Sequence, residues 1–113
     1  MSAVEHSGQG RIYRVTFEAA HYIEGHPKCG VKHGHSYHLC VNLHSDDLNK
    51  WIDFADIKGD VDEFVMKKLD HQDLGNASAE EISKKIADYL EKIGYHGNLD
   101  LFETEKYGVY RSF

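Results

Sequence analysis

The sequence predicts an α+β fold in which two helices pack on one face of an antiparallel sheet. Three observations carry this. Residues 11–21 and 33–44 alternate apolar and polar side chains, the period of a half-buried strand. Residues 54–69 and 79–93 switch to steps of three and four, the stripe of an amphipathic helix. Residues 99–104 and 109–113 alternate again, on either side of the turn signal Lys106-Tyr107-Gly108. The order is β-β-α-α-β-β.

In the first strand Tyr13, Val15, Phe17, Ala19 and His21 share one face, and Arg14, Thr16 and Glu18 the other. Residues 22–32 hold two glycines and the only proline, and read as a loop. In the second strand His33, His35, Tyr37, Leu39, Val41 and Leu43 share a face; His38, Cys40, Asn42 and His44 point the other way. Ser45, Asp46 and Asp47 mark a turn. Asp53 is placed to cap a helix, with Asp56 in its first turn. Its stripe is Phe54, Ile57, Val61, Phe64, Val65 and Leu69, weakened by Gly59. Residues 70–77 read as a short connection. Ser78 and Glu81 have capping-box spacing, and the stripe Ile82, Ile86, Tyr89, Leu90 and Ile93 runs on to a stop at Gly94.

Composition narrows the function. The 113 residues carry 13 Lys and Arg against 19 Asp and Glu, a formal charge of −6, which argues against a binder of nucleic-acid backbone. No apolar run approaches the roughly 18 residues of a membrane helix, and the polar start lacks an apolar signal-peptide core. Two cysteines make no disulfide framework, so the expected setting is a reducing cytoplasm. The expected organisation is a flexible start over residues 1–9 and one domain over 10–113. Nine histidines are unusual for this length and raise the question of metal.

His33-Gly34-His35 is the sharpest local feature. Side chains at i and i+2 of a strand point the same way, so both imidazoles can reach one metal. His21 shares their phase on the preceding strand. Three histidines on zinc leave a fourth position open, the pattern of a catalytic site; the alternative is two histidines on a half-exposed strand. Cys29, four residues before His33, is a candidate base or nucleophile, or else a fourth ligand or a small buried residue. Cys40, in mid-strand, reads as packing. Asp70-His71 closes the first helix: a proton-transfer pair if the carboxylate holds the ring, or merely charges at a helix end. Glu103 sits on the phase of Leu99 and Leu101, where a carboxylate needs a partner. That partner is either an amidine-like edge, gripped by two parallel hydrogen bonds, or a lysine or arginine. His6, His26, His38, His44 and His96 read as surface or loop residues.

Taken together these strings resemble the 6-pyruvoyl-tetrahydropterin synthase family, including its 6-carboxytetrahydropterin synthase branch. The matching segments are FEAAH (Phe17 to His21), CGVKHGHSY (Cys29 to Tyr37), WIDFADIK (Trp51 to Lys58), LDH (Leu69 to His71), SAEEIS (Ser78 to Ser83) and FET (Phe102 to Thr104). The resemblance implies the tunnelling fold, or T-fold: a four-stranded antiparallel sheet with two helices on one face, assembled as a dimer of trimers with active sites between subunits. It implies that His21, His33 and His35 hold Zn²⁺, that Cys29, Asp70 and His71 are catalytic, and that Glu103 anchors a pterin, with Thr104 and Ser78 beside it. The implied substrate is 7,8-dihydroneopterin triphosphate.

Within the family the stretch between Cys29 and His33 holds no acid, which looks like the carboxypterin branch. The pyruvoyl synthase is the alternative, and a non-catalytic zinc-binding oligomer or a purely structural T-fold are alternatives of another class. The segment Asn76-Ala77-Ser78-Ala79-Glu80 departs from the usual family pattern, as does Gly75, so substrate contacts there are open. Lys28, Lys32, Arg11 and Arg14 are candidates to meet the triphosphate.

Overall fold

The two long alternating segments form the strands β1 (Gly10–Tyr22) and β2 (His33–His44), paired antiparallel along their whole length, from Gly10 opposite His44 to His21 opposite His33. The computed structural model describes residues 8–45 and 53–113. Residues 1–7 of the expected flexible start, with His6, and Asp46, Asp47, Trp51 and Ile52 lie outside them. Helix α1 (Phe54–Phe64) follows, then strand β3 (Gln72–Asn76), helix α2 (Ala79–Lys92) and strands β4 (Gly97–Phe102) and β5 (Gly108–Ser112). The sheet order is β3-β1-β2-β4-β5.

Both helices cover the face that carries the odd-numbered side chains of β1 and β2. Phe17, Tyr37, Leu39, Val41, Leu99 and Leu101 are buried there against Ile57, Val61, Ile82, Ile86 and Leu90. Phe17 and Tyr37 stack with ring centroids 5.0 Å apart. No helix among the described residues is long and apolar enough to cross a membrane.

The helix ends follow their local chemistry. Asp53 accepts the Ala55 N–H at 2.7 Å. Ser78 accepts the Glu81 N–H at 3.1 Å while Glu81 reaches back to the Ser78 N–H, so the capping box is complete. After α2, Gly94 takes φ +105°, and Tyr95 and Gly94 donate to the carbonyls of Leu90 and Glu91. This left-handed stop satisfies carbonyls that the helix leaves open. We expect Ser78→Ala to lower stability by about 0.5–2 kcal/mol, checked by urea denaturation.

Four expectations are corrected. The sheet has five strands, because residues 72–76, expected as part of a connection, pair parallel with β1. The segment QDLGN shows no alternation, so its strand character comes from elsewhere. Asp70 and His71 bond to Glu18 of β1 and lay the chain along that strand's free edge, whose open backbone groups supply the pairing. The helical stripe over 54–69 is not uniform. From Val65 to Leu69 it widens into a π turn, with the Asp70 N–H bonded to the Val65 carbonyl. The strand expected at 99–104 ends at Phe102, and Glu103 opens the hairpin by donating its N–H to Tyr107. Cys40 is not core packing: it is half-buried on the opposite face, between Arg14 and Asp100 in register, lining a cavity of about 500 Å³.

Candidate metal centre and neighbouring proton-transfer pair

His21, His33 and His35 converge where β1 ends and β2 begins. One ligand atom from each lies within 4.8 Å of the others. Register explains this: His21 is directly opposite His33, and His35 follows two residues on, on the same face. Two of the rings are also oriented. His21 is fully buried and donates from Nδ1 to the Ala77 carbonyl at 2.6 Å. His33 donates from Nδ1 to the Val31 carbonyl at 2.7 Å. These bonds fix the tautomer that leaves Nε2 as a bare electron pair, the arrangement by which backbone carbonyls orient metal-binding imidazoles. Nε2 of His21 and of His35 are buried with no hydrogen-bond partner among the described residues. Burial lowers the pKa of His35, so it favours the neutral, ligating form. Convergent imidazole nitrogens, two of them buried and unpaired, fit a metal such as zinc.

Glu103 faces the same point. Its carboxylate oxygens lie 3.7 Å from His21 Nε2 and 3.9 Å from His35 Nε2. No lysine or arginine among the described residues pairs with it, so the ion-pair alternative finds no partner. Tyr37, fully buried nearby, has its hydroxyl pKa raised by burial and then by the charge of Glu103, so it stays a neutral phenol. The convergent group contains neither Cys29 nor Glu103.

Cys29 is half-buried in the loop between β1 and β2. The loop is bonded to itself: Ile23 N–H to Cys29 O at 2.7 Å, His26 N–H to Ile23 O at 3.1 Å, Gly30 N–H to His26 O at 2.9 Å. His26 Nδ1 accepts the N–H of Lys28 at 3.1 Å and of Cys29 at 2.8 Å. The sequence alone gives His26 as a surface or loop histidine. The available signal was its spacing, two and three residues before those donors across Pro27. Lys32, at the far end of the loop, forms an ion pair with Asp73 of β3.

Asp70 and His71 form a bonded pair. His71 Nδ1 donates to Asp70 Oδ2 at 2.7 Å, and Asp70 Oδ1 accepts the Glu18 N–H at 2.8 Å. The Glu18 N–H bond, followed by that from His71, holds the Asp70 carboxyl below its ordinary range. His71 has φ +58°, rare for a non-glycine residue, and its N–H donates to the Glu18 carbonyl at 2.5 Å. The ring is exposed and lines an open cleft of about 450 Å³ with Glu18, Ala20, Gly34 and Ser36. Ala19 and His35 line the same cleft, so it reaches one of the three histidines as well as the even-numbered strand residues.

The remaining candidates are engaged locally. The Ser78 hydroxyl belongs to the capping box, and Thr104 Oγ1 accepts the N–H groups of Lys106 and Tyr107 at the hairpin. Arg11 lies 3.9 Å over the Phe54 ring, and Arg14 lines the cavity beside Cys40.

A five-stranded sheet with helices on one face, three convergent imidazoles on that same face and an Asp–His pair at the entry to the edge strand defines a T-fold protein with a metal-ready centre. The family model for 6-pyruvoyl tetrahydropterin synthase matches residues 12–107, and the chain belongs to that family. A Haemophilus influenzae protein named 6-carboxy-5,6,7,8-tetrahydropterin synthase is 36% identical over 86 residues, 69% of this chain and 60% of that protein. A Rickettsia bellii protein of the same name is 33% identical over 90 residues, 75% of this chain and 65% of that one. The chain thus spans less than two thirds of the length of these curated relatives. The solved 6-pyruvoyl tetrahydropterin synthase of Caenorhabditis elegans superposes with a TM-score of 0.77 at 19% identity, covering 91% of this chain and 94% of the other. That of Plasmodium vivax gives 0.67 at 18% identity, covering 92% and 100%.

Proposed function

We propose that the protein is a zinc-dependent lyase that converts 7,8-dihydroneopterin triphosphate and water to 6-carboxy-5,6,7,8-tetrahydropterin, acetaldehyde and triphosphate, a step toward deazaguanine bases. The observation that carries this reading is the convergent triad His21, His33 and His35, with unpaired buried nitrogens on His21 and His35 and carbonyl-fixed tautomers at His21 and His33. The carboxypterin branch is favoured by the names of the Haemophilus and Rickettsia relatives and by Gly30-Val31-Lys32, which places no acid between Cys29 and His33.

His21, His33 and His35 hold the metal, which when bound polarises side-chain hydroxyls of the substrate and eases their deprotonation. Glu103 grips the amidine edge of the pterin with two parallel hydrogen bonds. Cys29 removes a proton from the substrate side chain. His71 donates or receives protons at Nε2, since Nδ1 is held by Asp70. In this reading residues 10–113 form one T-fold domain, six copies assemble as a dimer of trimers in the cytoplasm, and the Asp70–His71 pair serves the centre of a neighbouring copy. The exposure of the His71 ring, which lies outside its own chain's convergent histidine group, supports that sharing.

The test is incubation of the zinc-loaded protein with dihydroneopterin triphosphate and mass analysis of the products. Carboxypterin with acetaldehyde is expected; pyruvoyl-tetrahydropterin would place the protein in the other branch, and no turnover would remove the lyase reading. Metal content gives an independent check. The intact protein is expected to retain about one zinc per chain through dialysis, and His33→Ala to lose it.

A further inference from the structure

The loop that carries Cys29 is organised around a side chain the proposed chemistry does not use. We propose that His26 is the positioning residue for Cys29, acting as a neutral hydrogen-bond acceptor that fixes the loop so that the thiol faces substrate. This rests on the reading of Cys29 as the proton-removing group.

The argument starts from the donors. Backbone N–H groups can only donate, so a ring nitrogen that meets two of them must accept. His26 Nδ1 meets the N–H of Lys28 at 3.1 Å and of Cys29 at 2.8 Å. The ring is therefore the Nε2–H tautomer, with Nδ1 unprotonated. An acceptor that takes N–H groups two and three residues ahead does what an Asn or Asp side chain does in an Asx turn. Here it closes over Pro27, which has no N–H of its own.

The backbone completes the fixation. The His26 carbonyl accepts from Gly30, and the Cys29 carbonyl accepts from Ile23 at the end of β1. Cys29 thus has its N–H and its C=O both tied, one to His26 and one to the strand side of the loop. A Cβ on Gly30 would stand 2.6 Å from the His26 carbonyl oxygen, so the turn closes tightly on the residue after the thiol. A reacting group displaced by about 1 Å can lose on the order of 10²-fold in rate, so holding the loop is worth a dedicated residue.

The test uses the full-length, zinc-loaded protein. His26→Ala is expected to lower kcat for dihydroneopterin triphosphate by roughly tenfold to a hundredfold, with KM changed less than about twofold. The rate of alkylation of Cys29 by iodoacetamide, read by peptide mass with Cys40 as internal control, is expected to shift in the same variant. His26→Asn, whose amide oxygen can accept both N–H groups, should recover most of each loss. Unchanged kcat and unchanged Cys29 labelling in His26→Ala would overturn the inference. So would a nitrogen NMR signature of protonated Nδ1 in the wild-type protein, which needs no variant to fold. Cys29→Ala is run in parallel: if it keeps full turnover, the role of Cys29 fails, while labelling still reports whether His26 sets the loop.

Discussion

Cys29→Ala is expected to lower kcat by about 10²–10⁴-fold while leaving zinc content unchanged. That is about 3–5 kcal/mol of transition-state stabilisation. The two halves of the result answer different questions. His21, His33 and His35 converge without Cys29, so removing the thiol should leave the metal's protein ligands in place. If zinc content instead falls with the thiol, Cys29 is a fourth ligand and the centre is closed and structural rather than open and catalytic. Full turnover with zinc retained would remove Cys29 from the chemistry. The measurement pairs steady-state product formation with metal analysis on the same sample. A melting temperature close to wild type is also expected, because the side chain is half-buried in a loop outside the core cluster.

Much of this site was legible in the sequence because it is built on strand periodicity. His33 and His35 at i and i+2, with His21 in the same phase, predict one face before any coordinate is known. The observed register of His21 opposite His33 puts them there. The helix caps at Asp53 and Ser78 and the stop at Gly94 were legible for a similar reason: each rests on local bonds between residues five or fewer apart. What was not legible depends on contacts between distant residues. β3 has no strand pattern of its own and exists because Asp70 and His71 engage Glu18, 52 residues earlier in the case of Asp70. The carbonyls of Ala77 and Val31 that orient His21 and His33 carry no side-chain signature at all. Sequence could suggest three histidines on one face, but not that the Nδ1 atoms of His21 and His33 are occupied. For the same reason local reasoning could not decide whether Asp70 and His71, as neighbours, point toward each other; the left-handed backbone at His71 brings them together.

Asp70→Asn is the most informative change at the second half of the site, and its expected cost is about 10²–10⁴-fold in kcat. Asp70 performs two tasks at once: Oδ1 takes the Glu18 N–H and Oδ2 takes the His71 Nδ1–H. Asparagine has one acceptor oxygen. If that oxygen keeps the Glu18 N–H, the amide NH₂ faces Nδ1, which must then accept, and the proton moves to Nε2. The ring would then be in the wrong tautomer for a base at Nε2, with the backbone unchanged. A variant as active as wild type would show that the pair is only structural. The same residues test whether sites are shared between chains. Cys29→Ala and His71→Ala are each expected to be inactive alone. Unfolded together and refolded as mixed oligomers, they should regain activity at about a quarter of the sites, because a site formed by one chain's Cys29 and a neighbour's His71 draws both intact residues by chance. If each site were built within a single chain, mixing would restore nothing. Recovery is the expected result, because the His71 ring is exposed and lies outside its own chain's convergent histidine group.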